Sequence, residues 1–167
     1  MSAKGESGPV RVRLAGAADL EEVLAIERGA ATAPHWAAAE YVACLEENQA
    51  AGASRRRLVV AESVDGLVGF AVGGVVAVAD ELRGELESVA VLDAARRMGV
   101  GSALCGAVRE WCEEQGAVTL ELEVRSASVG AVALYERLGF VRFGRRPRYY
   151  RNPLDDALLL RLELGRG

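Results

Sequence analysis

The chain has 167 residues, 51% of them hydrophobic, with a formal net charge of −4 and a pI near 5.2. That is enough apolar material for a sizeable core in a single domain, and the acidic balance argues against a nucleic-acid or membrane-surface binder. No run of eighteen apolar residues occurs and the first residues lack the apolar segment of a signal peptide, so a cytoplasmic protein is expected.

Residues 1–8 form a polar, Gly/Ser-rich leader expected to be loose, and residues 9–165 are expected to form one domain. From Pro9 to Ala15 apolar and polar residues alternate, which predicts a half-buried strand. Asp19 is placed to cap a helix carrying Leu20, Val23 and Leu24 and ending near Gly29. A second helix follows Pro34-His35-Trp36, with Ala37, Tyr41, Cys44 and Leu45 along one side. Arg57–Glu62 and Leu67–Ala79 read as strands joined by an Asp65-Gly66 hairpin turn. Gly69, Gly73 and Gly74 thin the second of these strands and predict a bulge or a close approach by another segment. A strand over Glu85–Val91 leads into an Arg-bearing loop. A helix opens at Val100, with Ala103, Leu104, Ala107, Val108 and Trp111 on one face and Gly116 as its stop. Val118–Arg125 alternates as a strand, Ser128 begins a helix that reaches Leu138, and Phe140–Phe143 and Ala157–Leu164 close the chain as strands. The order is strand, two helices, three strands, helix, strand, helix, two strands.

The segment from Val89 to Leu104 organises the rest. A strand end, a glycine-bearing bend and a helix N-terminus aim unpaired N–H groups and the positive end of a helix dipole at one point, a cradle for an anion. Arg96 and Arg97 add charge at the same mouth. A Walker loop requires Gly-Lys-Ser/Thr, and the only lysine is Lys4. A dinucleotide fingerprint would put glycine where Leu104 stands and would begin at the strand end, although Glu121 or Glu123 fits its acidic position about twenty residues on.

Arg96-x-x-Gly99-x-Gly101 resembles the acetyl-CoA signature of the GNAT acyltransferases, and the element order resembles the GNAT fold over nearly the whole chain. Leu122-Glu123-Val124-Arg125-Ser126-Ala127-Ser128, followed by Ala131 to Phe140, resembles the corresponding run of the RimI-type enzymes, which acetylate the N-terminal alanine of a ribosomal protein. Arg148-x-Tyr150 and Asp156-Ala157 match their C-terminal pattern. The resemblance implies an α/β (α+β) GNAT fold, a mostly antiparallel mixed sheet of about seven strands flanked by about four helices. It also implies acetyl-CoA as co-substrate and a protein or peptide N-terminus as acceptor, with no nucleic acid, membrane or metal involved, in a monomer or weak homodimer. By the same matching, Glu123 is the general base and Tyr135 the proton donor to the departing thiolate. Val89, Ala90 and Val91 offer backbone groups to the pantetheine arm. Arg96 and Arg97, with Met98, Gly99, Val100, Gly101 and Ser102, hold the pyrophosphate, and Ser128 replaces the family's cofactor-contacting asparagine. Trp36, Tyr149 and Tyr150 line the acceptor groove. His35, inserted in the family's Pro-Trp, leaves acceptor choice open.

The chemistry suits such an acceptor. An α-amine with a pKa near 7.7 is roughly 15% neutral at pH 7, and a lysine near 10.4 is roughly 0.04% neutral, a gap of about 3–4 kcal/mol. A carboxylate can therefore serve an α-amine directly or through water. A phenol, with a pKa near 10 against about 8.5 for a thiol, stays protonated until the thiolate leaves. Both side chains are expected on one side of the sheet, beside the acyl group. Each also has a plainer reading: Glu123 as a solvated strand position, and Tyr135 as packing on the stripe Ala131, Leu134, Tyr135, Leu138. None of the cysteines (Cys44, Cys105, Cys112) has a basic neighbour that would make it a nucleophile, and Cys105 and Cys112 are too far apart on one helix to bridge. The arginines at 142, 145, 146, 148 and 151 form a solvated surface or hold a 3′-phosphate or an acidic partner. Two further functions remain open: acetylation of a small amine, and a non-catalytic module that binds acyl-CoA.

Overall fold

The computed structural model describes residues 9–30, 33–50, 55–96 and 98–165; the leader expected at 1–8 and the candidate cradle residue Arg97 lie outside them. Seven strands form one sheet: β1 (Arg11–Leu14), β2 (Arg56–Ser63), β3 (Gly66–Val78), β4 (Glu81–Val91), β5 (Ala117–Arg125), β6 (Val141–Tyr150) and β7 (Asp155–Glu163). Four helices pack on it, α1 (Leu20–Gly29), α2 (Ala38–Gln49), α3 (Val100–Glu114) and α4 (Val129–Arg137). The spatial order is β1-β2-β3-β4-β5-β7-β6. Every neighbouring pair is antiparallel except β4 and β5, which are parallel. A parallel pair needs a crossover, and α3 supplies it.

The alternation legible in the strands divides the apolar side chains between two cores. On one face α3 and α4 bury Leu104, Val108, Trp111 and Tyr135 against Leu120, Leu122, Val124 and Leu160. On the other, α1 and α2 bury Val23, Tyr41 and Cys44 against Leu58, Val60, Phe70 and Val72. The expected thinning of β3 has both of its possible causes. A Cβ at Gly73 would lie 2.6 Å from Val108 Cγ1, so α3 seats directly on the strand. The β3–β4 register also slips there: Val72 faces Ser88 and Gly73 faces Leu86, leaving Glu87 as an extra residue in β4. The bulge changes the phase of the strand. Leu86 belongs to the α3 core, whereas Ala90 belongs to the α1–α2 core and Val89 and Val91 pack toward α3.

That slip sets the geometry of everything downstream. β4 stays bonded to β3 as far as Val91↔Gly69, and β5 stays bonded to β7 as far as Arg125↔Ala157. Between them, the β4–β5 ladder stops at Glu85↔Glu121. The last turns of the two parallel strands therefore part, and a wedge opens in the middle of the sheet.

Several boundaries differ from those read in the sequence. β4 begins four residues earlier and β6 runs seven residues longer, to Tyr150, because both are paired along their extra length. Asp19 precedes α1 but makes no side-chain cap. Its carboxylate turns back to accept from Gly16 N–H at 2.8 Å and from both terminal nitrogens of Arg13 at 2.8 and 2.9 Å. Ser128 occupies the N-cap of α4, also with no side-chain cap bond; its carbonyl accepts from Val132 N–H. Gly116 follows α3 with φ +92°, as a helix stop requires.

The Arg13 bonds hold the Asp19 carboxyl below its ordinary value. A depressed carboxyl adds stability above its unfolded pKa, near 3.9, and loses it as pH falls through the folded value. Asp19→Ala is expected to lower the unfolding free energy by about 1–3 kcal/mol at pH 7. In urea titrations that difference should persist at pH 5 and close as the pH drops below about 4.

Candidate active site

At the head of α3, Gly99 takes φ +76°, a left-handed conformation that glycine adopts without strain. No side chain caps the helix and no acidic residue sits in its first turn. The first intrahelical bond runs from Ala103 N–H to Gly99 C=O at 3.0 Å, so the N–H groups of Val100, Gly101 and Ser102 precede it. A Cβ at Gly101 would stand 3.0 Å from Leu134 Cδ2, so glycine is what lets α4 close on this end. Met98 is exposed, and Arg96 is an exposed guanidinium 3.1 Å from Asp93. An uncapped, acid-free helix end beside a parted strand fits a diphosphate and the amide arm of coenzyme A. Val89, Ala90 and Val91 pair with β3 on one side and, past the end of the ladder, with no β5 residue on the other.

Glu123 and Tyr135 do not lie on one side of the sheet as expected. Leu122 and Val124 point into the α3–α4 core, where Tyr135 is also buried, and strand alternation sends Glu123 to the opposite face. The reason is the wedge: a group lying in it is reachable from both faces, so the two side chains need not share one. Tyr150 lies near both. Its phenol is pushed up to about 12 by burial and then by the Glu123 charge, and it acts in turn on Tyr135.

Tyr135 packs edge-on to Phe140 with centroids 5.8 Å apart. Burial first, then Cys105 and Tyr150, raise its phenol well above the ordinary value, so it holds its proton. Its hydroxyl has no hydrogen-bond partner among the described residues. Glu123 lies 3.4 Å from Arg146 Nε. The Tyr149 phenol is raised chiefly by its interaction with the same carboxylate. Tyr149 and Tyr150 stack edge to face at 5.1 Å, and Arg125 lies 4.4 Å over the Tyr150 ring. Glu123, Tyr149 and Tyr150 thus form one cluster at the edge of the wedge, and the Tyr150 phenol acts electrostatically on the buried Tyr135.

Trp36 stands on the α1–α2 loop, held by side chains that the motif reading did not single out. Glu27, 2% exposed, accepts from Trp36 N–H at 3.0 Å and from the Tyr41 hydroxyl, and lies 3.5 Å from His35 Nδ1. His35 therefore belongs to the loop's anchorage. The signal for Glu27 was available, since it falls four residues after Val23 on the buried stripe of α1. Arg56 ties the loop to the sheet: its guanidinium sits 5.1 Å over the Trp36 ring and 3.1 Å from both Glu40 and Glu87. Glu87 is the bulge residue, and burial lifts its carboxyl above the ordinary value. Nothing in local sequence marks a cross-sheet link of this kind.

Other candidates are already occupied. Glu121, the acid that a dinucleotide site would use, lies 2.8 Å from Arg161 and 3.0 Å from Arg83. Cys105 and Cys112 are buried, with thiols pushed up to about 12, which keeps both protonated at neutral pH. Among the described residues no cluster of three metal-ligating side chains occurs, and no helix is long and apolar enough to cross a membrane.

Comparison with known proteins agrees with this fold. An Escherichia coli (strain K12) [ribosomal protein bS18]-alanine N-acetyltransferase is 37% identical over 81 residues, 47% of this chain and 55% of that protein. An uncharacterised Mycobacterium leprae (strain TN) protein is 38% identical over 105 residues, 63% of this chain but 28% of its own length. The chain thus spans about half or less of these curated relatives. The crystal structure of the ribosomal-protein-S18-alanine N-acetyltransferase from Escherichia coli superposes with a TM-score of 0.75 at 25% identity, covering 95% of this chain and 96% of that one. Ard1 from Thermoplasma volcanium superposes with a TM-score of 0.76 at 29% identity, covering 93% and 98%. The profile of the acetyltransferase (GNAT) family matches residues 20–140, and with the sheet order and the uncapped helix that follows β4, the chain belongs to that family.

Proposed function

We propose that this protein transfers an acetyl group from acetyl-CoA to the N-terminal α-amine of a protein, by direct attack in a ternary complex. The observation that carries the proposal is the wedge between β4 and β5, flanked by Glu123 on one face and Tyr135 on the other. The likeness to enzymes named for acetylating an N-terminal alanine supports the choice of acceptor.

In this reading Arg96, Arg97 and the main chain of Met98–Ser102 hold the pyrophosphate. The free main-chain groups of Val89–Val91 bond the pantetheine arm as an added strand would, and one N–H polarises the thioester carbonyl. Ser128, at the head of α4, offers a hydroxyl where relatives carry an amide. Trp36 forms one wall of the acceptor groove, and Tyr149 and Tyr150 form the other. Glu123 takes the proton of the incoming amine, the amine nitrogen bonds to the carbonyl carbon, and the carbon–sulfur bond breaks. Tyr135 delivers its proton to the departing thiolate from the opposite face, so base and acid never compete for one proton. The three cysteines stay protonated or buried, which favours this route over an acetyl-enzyme.

Glu123→Gln should lower kcat on an N-terminal peptide by roughly a hundredfold or more while coenzyme A binding persists. Tyr135→Phe keeps the packing on Phe140 and should lower kcat by about ten- to a hundredfold. Normal turnover in the double variant would remove both side chains from the mechanism, and acetyl-CoA binding with no turnover of any amine would return the chain to a binding module. Gly101→Val should raise KM for acetyl-CoA about tenfold, because a side chain there meets Leu134 and covers the donor end of α3. In a pH profile, kcat/KM should climb through the amine pKa near 7.7 and stay level to at least pH 10. The level limb follows because the donor is active when protonated and its pKa is raised. A panel of peptides against small amines, read by thiol release, tests the acceptor: peptides should lead, and a small amine turned over faster would overturn the choice.

A further inference from the structure

We infer that the acceptor's early residues are acidic, read by guanidinium groups on the β6–β7 turn. The inference rests on the proposed peptide groove and names the class of substrate that it takes. Residues 141–154 contain five arginines and no acid, in a chain whose net charge is −4. Three of the five are matched: Arg142 by Glu136, Arg145 by Asp156 and Arg146 by Glu123. Among the described residues Arg148 and Arg151 have no carboxylate within ion-pair reach, and both are exposed. Arg125 is likewise unmatched within that reach, its nitrogens bonding the carbonyls of Pro153 at 3.0 Å and Arg151 at 3.4 Å.

These three charges adjoin the two tyrosines, Arg125 in space and Arg148 and Arg151 along the chain. Arg148 precedes Tyr149, Arg151 follows Tyr150, and Arg125 lies over the Tyr150 ring. The local backbone is irregular there. Five residues of β6, Arg146 to Tyr150, span only three of β7, Ala157 to Asp155, and Arg148 takes φ +52° within that bulge. The two carboxylates beneath are committed elsewhere. Asp155 accepts from the Ser126 hydroxyl at 2.5 Å and Ala127 N–H at 3.0 Å, and Asp156 accepts from Arg148 N–H at 2.9 Å and Arg145 at 2.6 Å. Across the wedge the acids Glu87 and Glu121 are each paired with arginine. An amine that reaches Glu123 therefore trails its next side chains over an unmatched positive rim, which attracts carboxylates and repels basic sequences.

The test compares three peptides of equal length that begin with alanine and continue with two glutamates, two glutamines or two arginines. At 50 mM salt, kcat/KM should be about tenfold higher for the glutamate peptide than for the glutamine one, and lower again for arginine. At 500 mM salt the spread should shrink to under threefold, since exposed charges are screened. In Arg148→Gln/Arg151→Gln the acidic advantage should fall to under threefold at low salt. Binding of the N-acetylated peptides, measured by fluorescence polarisation, should give the same ranking without turnover. Equal rates for acidic and neutral peptides, or faster turnover of the basic one, would overturn this inference and leave the acceptor reading standing. A rise in KM for acetyl-CoA in the double variant, with peptide preference intact, would also overturn it, assigning the guanidiniums to the cofactor's phosphate. If no peptide is acetylated at all, the acceptor reading falls and this inference falls with it.

Discussion

The structure depends on one extra residue in β4. Where Glu87 is inserted opposite Gly73, the strand changes phase and its ladder to β5 ends within two residues, at Glu85↔Glu121. A continuous sheet offers no main-chain donors in its middle, because its neighbours use them all. Ending the ladder frees the donors of Val89 and Val91, which alternate with the β3-bonded Ala90, at the point where the chain turns into α3. The same bulge residue carries a carboxylate toward Arg56, and through it toward the loop bearing Trp36. One local irregularity thus opens the site and ties its outer wall to the sheet.

In the proposed reaction the wedge lets a base and an acid approach one acyl group from opposite faces of the sheet. The Glu123 side chain is 34% exposed beside Arg146 and Tyr149; Tyr135 is buried among apolar side chains. The two side chains stand in two different environments, and strand alternation keeps them on separate faces. An expectation that both must share a side treats the sheet as an unbroken wall. Parted strands remove that condition.

Much of this was legible in the sequence for a physical reason: helix and strand periods are local. The stripe on α3, the alternation in β5 and the stops at Gly116 and Gly139 each depend on neighbours within a few turns, and their elements fall where expected. The glycine-thinned stretch of β3 announced a bulge or a close approach; α3 packs directly on it, and the extra residue opposite it lies in β4. What stayed hidden depends on distant partners. Asp19 and Ser128 sit at helix starts, where short polar residues cap, yet Arg13 captures the first and the second makes no side-chain cap bond. The length of β6 comes from its pairing with β7, since its own sequence, with four arginines and a proline, does not alternate as a strand should. Glu27 and Arg56 were missed because their roles join the loop, the helix and the sheet across long sequence separations.

The most direct measurement is a crystal structure of this chain with a peptide joined through its N-terminal nitrogen to coenzyme A by an acetyl linker. The account predicts that the linker threads the gap between Val89–Val91 and β5, with the nitrogen beside Glu123, the sulfur beside the Tyr135 hydroxyl and the diphosphate on the N–H groups of Val100–Ser102. A conjugate lying along a single face of the sheet, with either side chain remote from the linker, would contradict it.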